Sequence, residues 1–165
     1  MIDLKSKIIV ITGGAGFLGS RISEVIASNN GIPVILDNDI RKLNKLKKKF
    51  KEKNIKSDFF KVDICNKTKV KKIIDRVYYK FKKIDCLINN AGYNPKLPSK
   101  YKNFEHFPIT QWGKEIQIGL TGSLIVTQEV VKKMMKQKNG NIVNISSDLG
   151  VIAPNQSLYG RKNKK

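Results

Sequence analysis

The chain has 165 residues, a length that fits one domain with a sizeable core, and its 40% hydrophobic content is too high for a disordered chain. A formal net charge of +20 suggests nucleic acid or an anionic membrane as partner, yet Arg21, Arg41, Arg76 and Arg161 are the only arginines among 33 basic residues. Readers of guanine and phosphate lean on the forked arginine side chain, and the heavy use of lysine, isoleucine and asparagine matches A/T-rich codons, so the charge is read as solvated surface.

In chain order, residues 7–12 (KIIVIT) form a short β-rich run fit for a strand buried on both faces. A glycine cluster follows, then a helical stretch from residue 18 to about 28, and residues 33–37 (PVILD) make the second strand. Leu43, Leu46 and Phe50 recur at helical spacing among Lys45, Lys47, Lys48, Lys49 and Lys51, the pattern of an amphipathic surface helix. Residues 58–63 are the third strand, and Val70, Ile73, Ile74, Val77, Tyr78 and Phe81 mark the clearest helix. Residues 84–89 form the fourth strand, and residues 94–108, with three prolines, read as loop. Helix resumes near residue 110 and runs to about 136, ahead of a fifth strand at 141–146.

Strand and helix alternate throughout, which means parallel pairing with right-handed crossovers and hence a doubly wound α/β sheet of order 3-2-1-4-5. Such sheets bind ligands beyond the carboxyl ends of their strands, beside the switch between strands 1 and 4. No repeat or low-complexity linker divides the chain. The isolated Cys65 and Cys86 lack metal-ligand spacing and suit free thiols in a reducing compartment. The first strand starts too early to leave room for a signal peptide, and no apolar run nears the ~18–20 residues of a membrane span, so a cytoplasmic protein is expected.

TGGAGFLG, residues 12–19, lies between the first strand and the first helix. A dinucleotide pyrophosphate needs a tight turn, close backbone approach and helix N–H groups aimed at the anion. Thr12, Gly13, Gly14, Gly16, Phe17, Leu18 and Gly19 are therefore candidate cofactor-binding residues, with Gly13, Gly14 and Gly16 expected to take backbone angles closed to other residues. The plain alternative is a glycine-rich turn. Asp37, 18 residues beyond Gly19, ends the second strand where a carboxylate accepts hydrogen bonds from ribose hydroxyls and repels a 2′-phosphate. It favours NAD over NADP; the alternatives are a capping role for Asp37 or Asp39, or a phosphate answered by Arg41 and Lys42.

With Asn89-Asn90-Ala91-Gly92 after the fourth strand and NISS (144–147) before a glycine, the constellation resembles the short-chain dehydrogenase/reductase family across essentially the whole chain. The resemblance implies a Rossmann-type domain that transfers hydride between nicotinamide and a carbonyl or alcohol of a small-molecule substrate. It implies Asp63 and Ile64 at the adenine, Asn90, Ala91 and Gly92 at the adenosine ribose, and Ser147 as the serine that orients the substrate oxygen, with Ser146 its neighbouring alternative. IGLTG (118–122) and the segment 146–159 further resemble a bacterial branch of surface-glycan synthesis that includes the flagellin modification protein A type, so a sugar or sugar derivative is the expected substrate.

Two positions depart from the family pattern. Gly119 stands where the helical asparagine of the family's proton relay is expected. Tyr159 is the only tyrosine after Ser147, and Asn163 stands four residues on where the family has lysine; Tyr159 is read as a loop residue. A tyrosine with an ordinary pKa near 10 needs such a cation to act at neutral pH. The chain is accordingly expected to be a fragment cut before the catalytic tyrosine-lysine helix, inactive as it stands. Its fifth strand would be an open edge and its helices from Val70 to Phe81 and from Trp112 to Met135 would expose apolar faces; the resemblance implies a homo-oligomer for the full-length protein. A non-catalytic NAD-binding module is the alternative. His106, the only histidine, suits a surface loop and not a metal site. Trp112 suits core or substrate rim equally, and Tyr93, Asn94 and Lys96 suit either a substrate border or plain loop.

Overall fold

The computed structural model describes residues 3–93 and 104–152. Their five strands form one parallel sheet, ordered β3-β2-β1-β4-β5: β1 (Ile8–Thr12), β2 (Ile32–Asp37), β3 (Asp58–Lys61), β4 (Cys86–Asn89) and β5 (Asn141–Asn144). This is the doubly wound order that the alternation of strand and helix implies. β1 and β2 are buried at every residue, as parallel strands covered on both faces must be, and their unbroken Ile/Val/Leu runs follow from that.

On one face Ile9 and Ile11 pack with Ile26 of α1 (Phe17–Ser28), and Ile35 packs with Leu43, Leu46 and Phe50 of α2 (Ile40–Glu52). On the other, Ile8, Val10 and Leu87 meet Val70, Ile74 and Val77 of α3 (Lys67–Phe81) and Val126, Val130 and Met134 of α5 (Ser123–Gln137). Lys42, Lys45, Lys47, Lys48 and Lys51 of α2 are exposed, and the helix is held by Leu43, Leu46 and Phe50 on its inner face.

The long helix expected over 110–136 is resolved into three parts. An α-helical segment α4 (Ile109–Ile116) passes into a π-helical segment (Gln117–Gly122) and then into α5, with helical backbone angles at both junctions. A π segment widens the turn by one residue, a change that a period of 3.6 does not reveal. Its location has a packing reason. A Cβ at Gly122 would lie 2.7 Å from Ile64 Cδ1, and the Cys65 thiol donates to the Gln117 carbonyl at 3.3 Å. The close helix contact therefore falls at Gly122. Gly119 has nothing within 4 Å of where its Cβ would be among the described residues.

β5 is exposed along its length. Ile109, Trp112, Ile116, Leu120 and Leu124 follow one another at helical spacing and face outward from α4, the π segment and α5. Trp112 thus belongs neither to the core nor to the cleft described below. The apolar face of α3 is covered, its Val70, Ile74 and Val77 being wholly buried, so the expected exposure holds for the long helix and not for α3. His106 is exposed, in a short 3-10 turn (Phe104–His106). Among the described residues no helix is long and apolar enough to cross a membrane.

Candidate functional site

The carboxyl ends of β1, β2, β3 and β4 open into a cleft of about 730 Å³. Its near wall is the turn from β1 into α1. Gly13 has φ of +60°, and a Cβ there would lie 2.9 Å from Ala91 Cα, so this position needs glycine for both conformation and space. Gly14 and Gly16 do not share the unusual angle. Gly16 is extended, at φ −69° and ψ −179°, and Gly14 is tight because a Cβ would meet Ile35 Cγ2 at 3.0 Å. Their expected backbone role is therefore replaced by a steric one. Gly19 lets α1 approach the turn: a Cβ there would overlap the Gly13 carbonyl oxygen and lie 2.8 Å from Gly14 Cα.

The second wall is the turn after β4, and the two walls are tied together. Buried Thr12 Oγ1 accepts from both Asn90 N and Ala91 N at 3.0 Å. Asn90 Nδ2 donates to Thr12 O at 3.0 Å and to Gly13 O at 3.2 Å. Below them Asn89 Nδ2 donates to Thr127 Oγ1 and Asn144 Oδ1, both at 2.9 Å, and Ile145 N donates to Asn89 O at 2.9 Å. These bonds fix the end of β5 beside β4 and carry Ile145 to the cleft.

The third wall is acidic. Asp37 is buried; its Oδ2 accepts from Ala15 N and its Oδ1 from Asp39 N, each at 3.0 Å. Asp39, not Asp37, caps α2, accepting from Arg41 N at 2.9 Å and Lys42 N at 3.2 Å. The Lys42 N–H leads the interactions that hold the Asp39 carboxyl below its ordinary range. Asp63 Oδ1 accepts from Cys65 N at 2.9 Å. Burial, with Asp63 beside it, pushes the Cys65 thiol up, so it stays protonated.

Gly13, Gly16, Phe17, Leu18, Gly19, Asp37, Asp63, Ile64, Asn90, Ala91 and Gly92 all line the cleft; Thr12 and Gly14 stand behind it as supports. Ser147 does not line it. It follows β5 on an exposed turn, where its Oγ donates to Asp148 Oδ1 at 3.1 Å. Asn38, Val62, Ile118 and Ile145 line the cleft without having been singled out from sequence, and Asp39, Lys42 and Tyr93 join them. Ile118 and Ile145 carry no polar signal; only their places within the π segment and just after β5 mark them. Asn94, Lys96, Tyr159, Lys162, Asn163 and Lys164 lie outside the described residues.

The cleft suits a dinucleotide in its donor chemistry. α1 begins at Gly16 with no side-chain cap and no acidic residue in its first turn, whereas α2 and α3 are capped by Asp39 and Asn66. Orphan N–H groups at the start of a long helix are a place for phosphate. Residues 7–161 match the family model for short chain dehydrogenase. The chain belongs to that family. It is 31% identical over 157 residues to a 3-oxoacyl-acyl-carrier-protein reductase of Thermotoga maritima, covering 94% of this chain and 62% of the relative. It is 32% identical over 158 residues to the post-translational flagellin modification protein A of Campylobacter coli, covering 94% and 61%. Among solved structures, an NAD+-bound xylitol dehydrogenase superposes with a TM-score of 0.84 at 28% identity, covering 96% of this chain and 60% of that one. The chain spans about three fifths of the length of these relatives.

Proposed function

We propose that this chain binds NAD in the cleft and forms the nucleotide-binding part of an oxidoreductase acting on a sugar or sugar derivative, in surface-glycan synthesis in the cytoplasm. The observation that carries the reading is the pairing of an uncapped helix N-terminus with a fixed carboxylate across one cleft. The α1 N–H groups suit the pyrophosphate, and Asp37, held by Ala15 N and Asp39 N, sets a carboxyl group where ribose hydroxyls can donate and a 2′-phosphate is disfavoured. Asp63 and Ile64 offer a polar edge and an apolar face to the adenine; Asn90, Ala91 and Gly92 present backbone and small groups to the ribose. Bound nicotinamide supplies or accepts the hydride, and Ser147 orients the substrate oxygen. The similarity to a xylitol dehydrogenase supports a polyhydroxylated substrate and that to a flagellin modification protein supports surface-glycan synthesis, while the acyl-carrier-protein reductase represents the competing substrate class.

Within these 165 residues no lysine stands four positions after Tyr159, and Gly119 replaces the expected asparagine, so binding without turnover is expected from them. These two positions also favour the second reading, a non-catalytic NAD-binding module. The outward stripe from Ile109 to Leu124 supports assembly into a homo-oligomer. Calorimetric titration with NAD and NADP tests the cofactor. Saturable NAD binding that 5′-AMP competes away, with weaker NADP binding, is expected; no binding of either dinucleotide overturns the proposal. Hydride transfer from hydroxy-sugars to NAD by a version that carries a tyrosine-lysine pair after residue 165 separates the enzyme from the module.

A further inference from the structure

α1 and α2 lie side by side on one face of the sheet, and a groove runs between them, away from the nucleotide cleft. It consists of two hollows of about 450 and 350 Å³, joined where Glu24 and Lys49 line both. Its floor is apolar, made by Ala27, Leu46, Phe50 and Ile55. Its rim is cationic. Lys45, Lys49 and Lys53 stand at every fourth position along α2 and its C-cap, so one ammonium follows another about every 6 Å. Arg21 adds a further cation from α1.

Lys45 and Lys53 have no acidic group within ion-pair distance among the described residues. Val25, on the α1 wall, is 60% exposed. The one acid in the groove shows how a carboxylate is received there: Glu24 reaches across from α1 to lie 2.6 Å from Lys49 Nζ, with Arg21 Nη1 at 3.4 Å. A concave channel with an apolar floor does not fit a planar bilayer. Phe17 is the only exposed ring along it, so it lacks the row of stacking platforms that holds a single-stranded nucleic acid. A second copy of this chain does not fit either. Its helices α1 to α5 carry one acidic residue each, namely Glu24, Glu52, Asp75, Glu115 and Glu129, so none presents carboxylates at successive turns.

We propose that the groove between α1 and α2 docks an amphipathic helix of another protein, whose apolar stripe lies over Val25, Leu46 and Ile55 and whose carboxylates, one per turn, meet Lys45, Lys49 and Lys53. The spacing of the three ammonium groups is that of side chains four apart on a facing helix. Recognition of a helix in a groove draws affinity from the apolar anchors, and the charges fix register and speed the encounter. The surface lies outside the nucleotide cleft, so the proposal stands or falls separately from the dinucleotide reading.

The test measures, by fluorescence anisotropy on the 165-residue chain, binding of a labelled helical peptide as long as the 12 residues of α1, with leucine on one face and glutamate at each turn of its flanks. Two control peptides replace every glutamate by glutamine, or every leucine by serine. Saturable binding of the first, roughly tenfold or more tighter than that of either control, is expected. Lys45→Gln with Lys53→Gln is expected to weaken it roughly three- to tenfold. Lys69→Gln with Lys72→Gln makes the same change in net charge at exposed positions of α3, on the other face of the sheet, and is expected to leave it within about twofold. Equal weakening by the two double variants, or equal binding of the serine peptide, means attraction by overall charge and overturns the proposal. No binding of the leucine-glutamate peptide overturns it too. So does tighter binding of anionic phospholipid vesicles or single-stranded DNA that Lys45→Gln with Lys53→Gln abolishes, since the groove then serves another class of partner.

Discussion

Gly19→Ala and Gly119→Ala are the same chemical change in two helical segments, and the structure gives them opposite signs. At Gly19 the new Cβ overlaps the Gly13 carbonyl oxygen and lies 2.8 Å from Gly14 Cα, so restoring an ordinary carbon–carbon contact of ~3.5 Å moves α1 by about 0.7 Å. Overpacking of this kind costs ~1–3 kcal/mol. The shift also strains the Gly13 carbonyl, which accepts from Gly16 N at 3.0 Å and Asn90 Nδ2 at 3.2 Å, at ~1 kcal/mol per bond. Alanine's helix preference returns at most about 1 kcal/mol. The net loss is ~1–3 kcal/mol, a fall in Tm of roughly 3–10 °C for a chain of this size, with at least a roughly tenfold loss of 5′-AMP affinity as the turn deforms. At Gly119 the Cβ enters open space, so the gain is unopposed, and stability is expected to hold or rise by ~0.5–1 kcal/mol. Thermal melts and nucleotide titrations of the two variants side by side check this. Equal melting temperatures, or a Gly19→Ala chain with wild-type affinity, would refute the steric reasoning.

Other outcomes follow from the same contacts. Thr12→Val keeps the shape but strands the Asn90 and Ala91 N–H groups, so a loss of ~1–3 kcal/mol in urea unfolding and faster amide exchange at both residues are expected. Hydrogen bonds from Lys133 and then Lys71 hold the Asp75 carboxyl below its ordinary range. A depressed folded value means stability that is present above the unfolded value of about 3.9 and lost as pH falls through the folded one. With Asp75 37% exposed, solvent screening limits Asp75→Asn to a cost of about 1 kcal/mol at neutral pH, and its melting curve should converge on that of the wild type toward roughly pH 2. Leu120→Glu with Leu124→Glu places charges on the outward stripe, and sedimentation velocity is expected to show a self-associating chain become monomeric. A wild-type chain already monomeric at high concentration would count against the role given to that stripe.

The sheet was legible because its signals are local and repeated. Runs such as IIVIT, and the recurrence of Leu43, Leu46 and Phe50, report burial directly, and parallel order follows from alternation. The glycine turn and the NNAG turn were legible as motifs, since glycine, asparagine and small residues stand where backbone must approach closely. What could not be read was the division of labour within them. That Gly13 alone of the first three glycines takes a positive φ is a matter of the turn's path, and that it has no room for a Cβ depends on Ala91, far along the chain. The π segment depends on Ile64 and Cys65 crowding Gly122. The choice between Asp37 and Asp39 as helix cap rests on the bonds from Arg41 N and Lys42 N to Asp39, while Asp37 is held by Ala15 N, 22 residues away. Ile118 and Ile145 reach the cleft through tertiary placement, which periodicity does not encode.

The bonds between Thr12 and Asn90 join residues 78 positions apart. No local segment can form them, and closing so long a loop precedes any reward from the contact. Nucleotide affinity should therefore emerge late in refolding, after helical structure has returned, because it requires β1 and β4 to be paired. A nucleotide that bound only that assembled state would draw the population toward it, by about 2.7 kcal/mol at a hundredfold excess over Kd. Added to a refolding mixture, it becomes a clock for the moment when the two halves of the sheet meet.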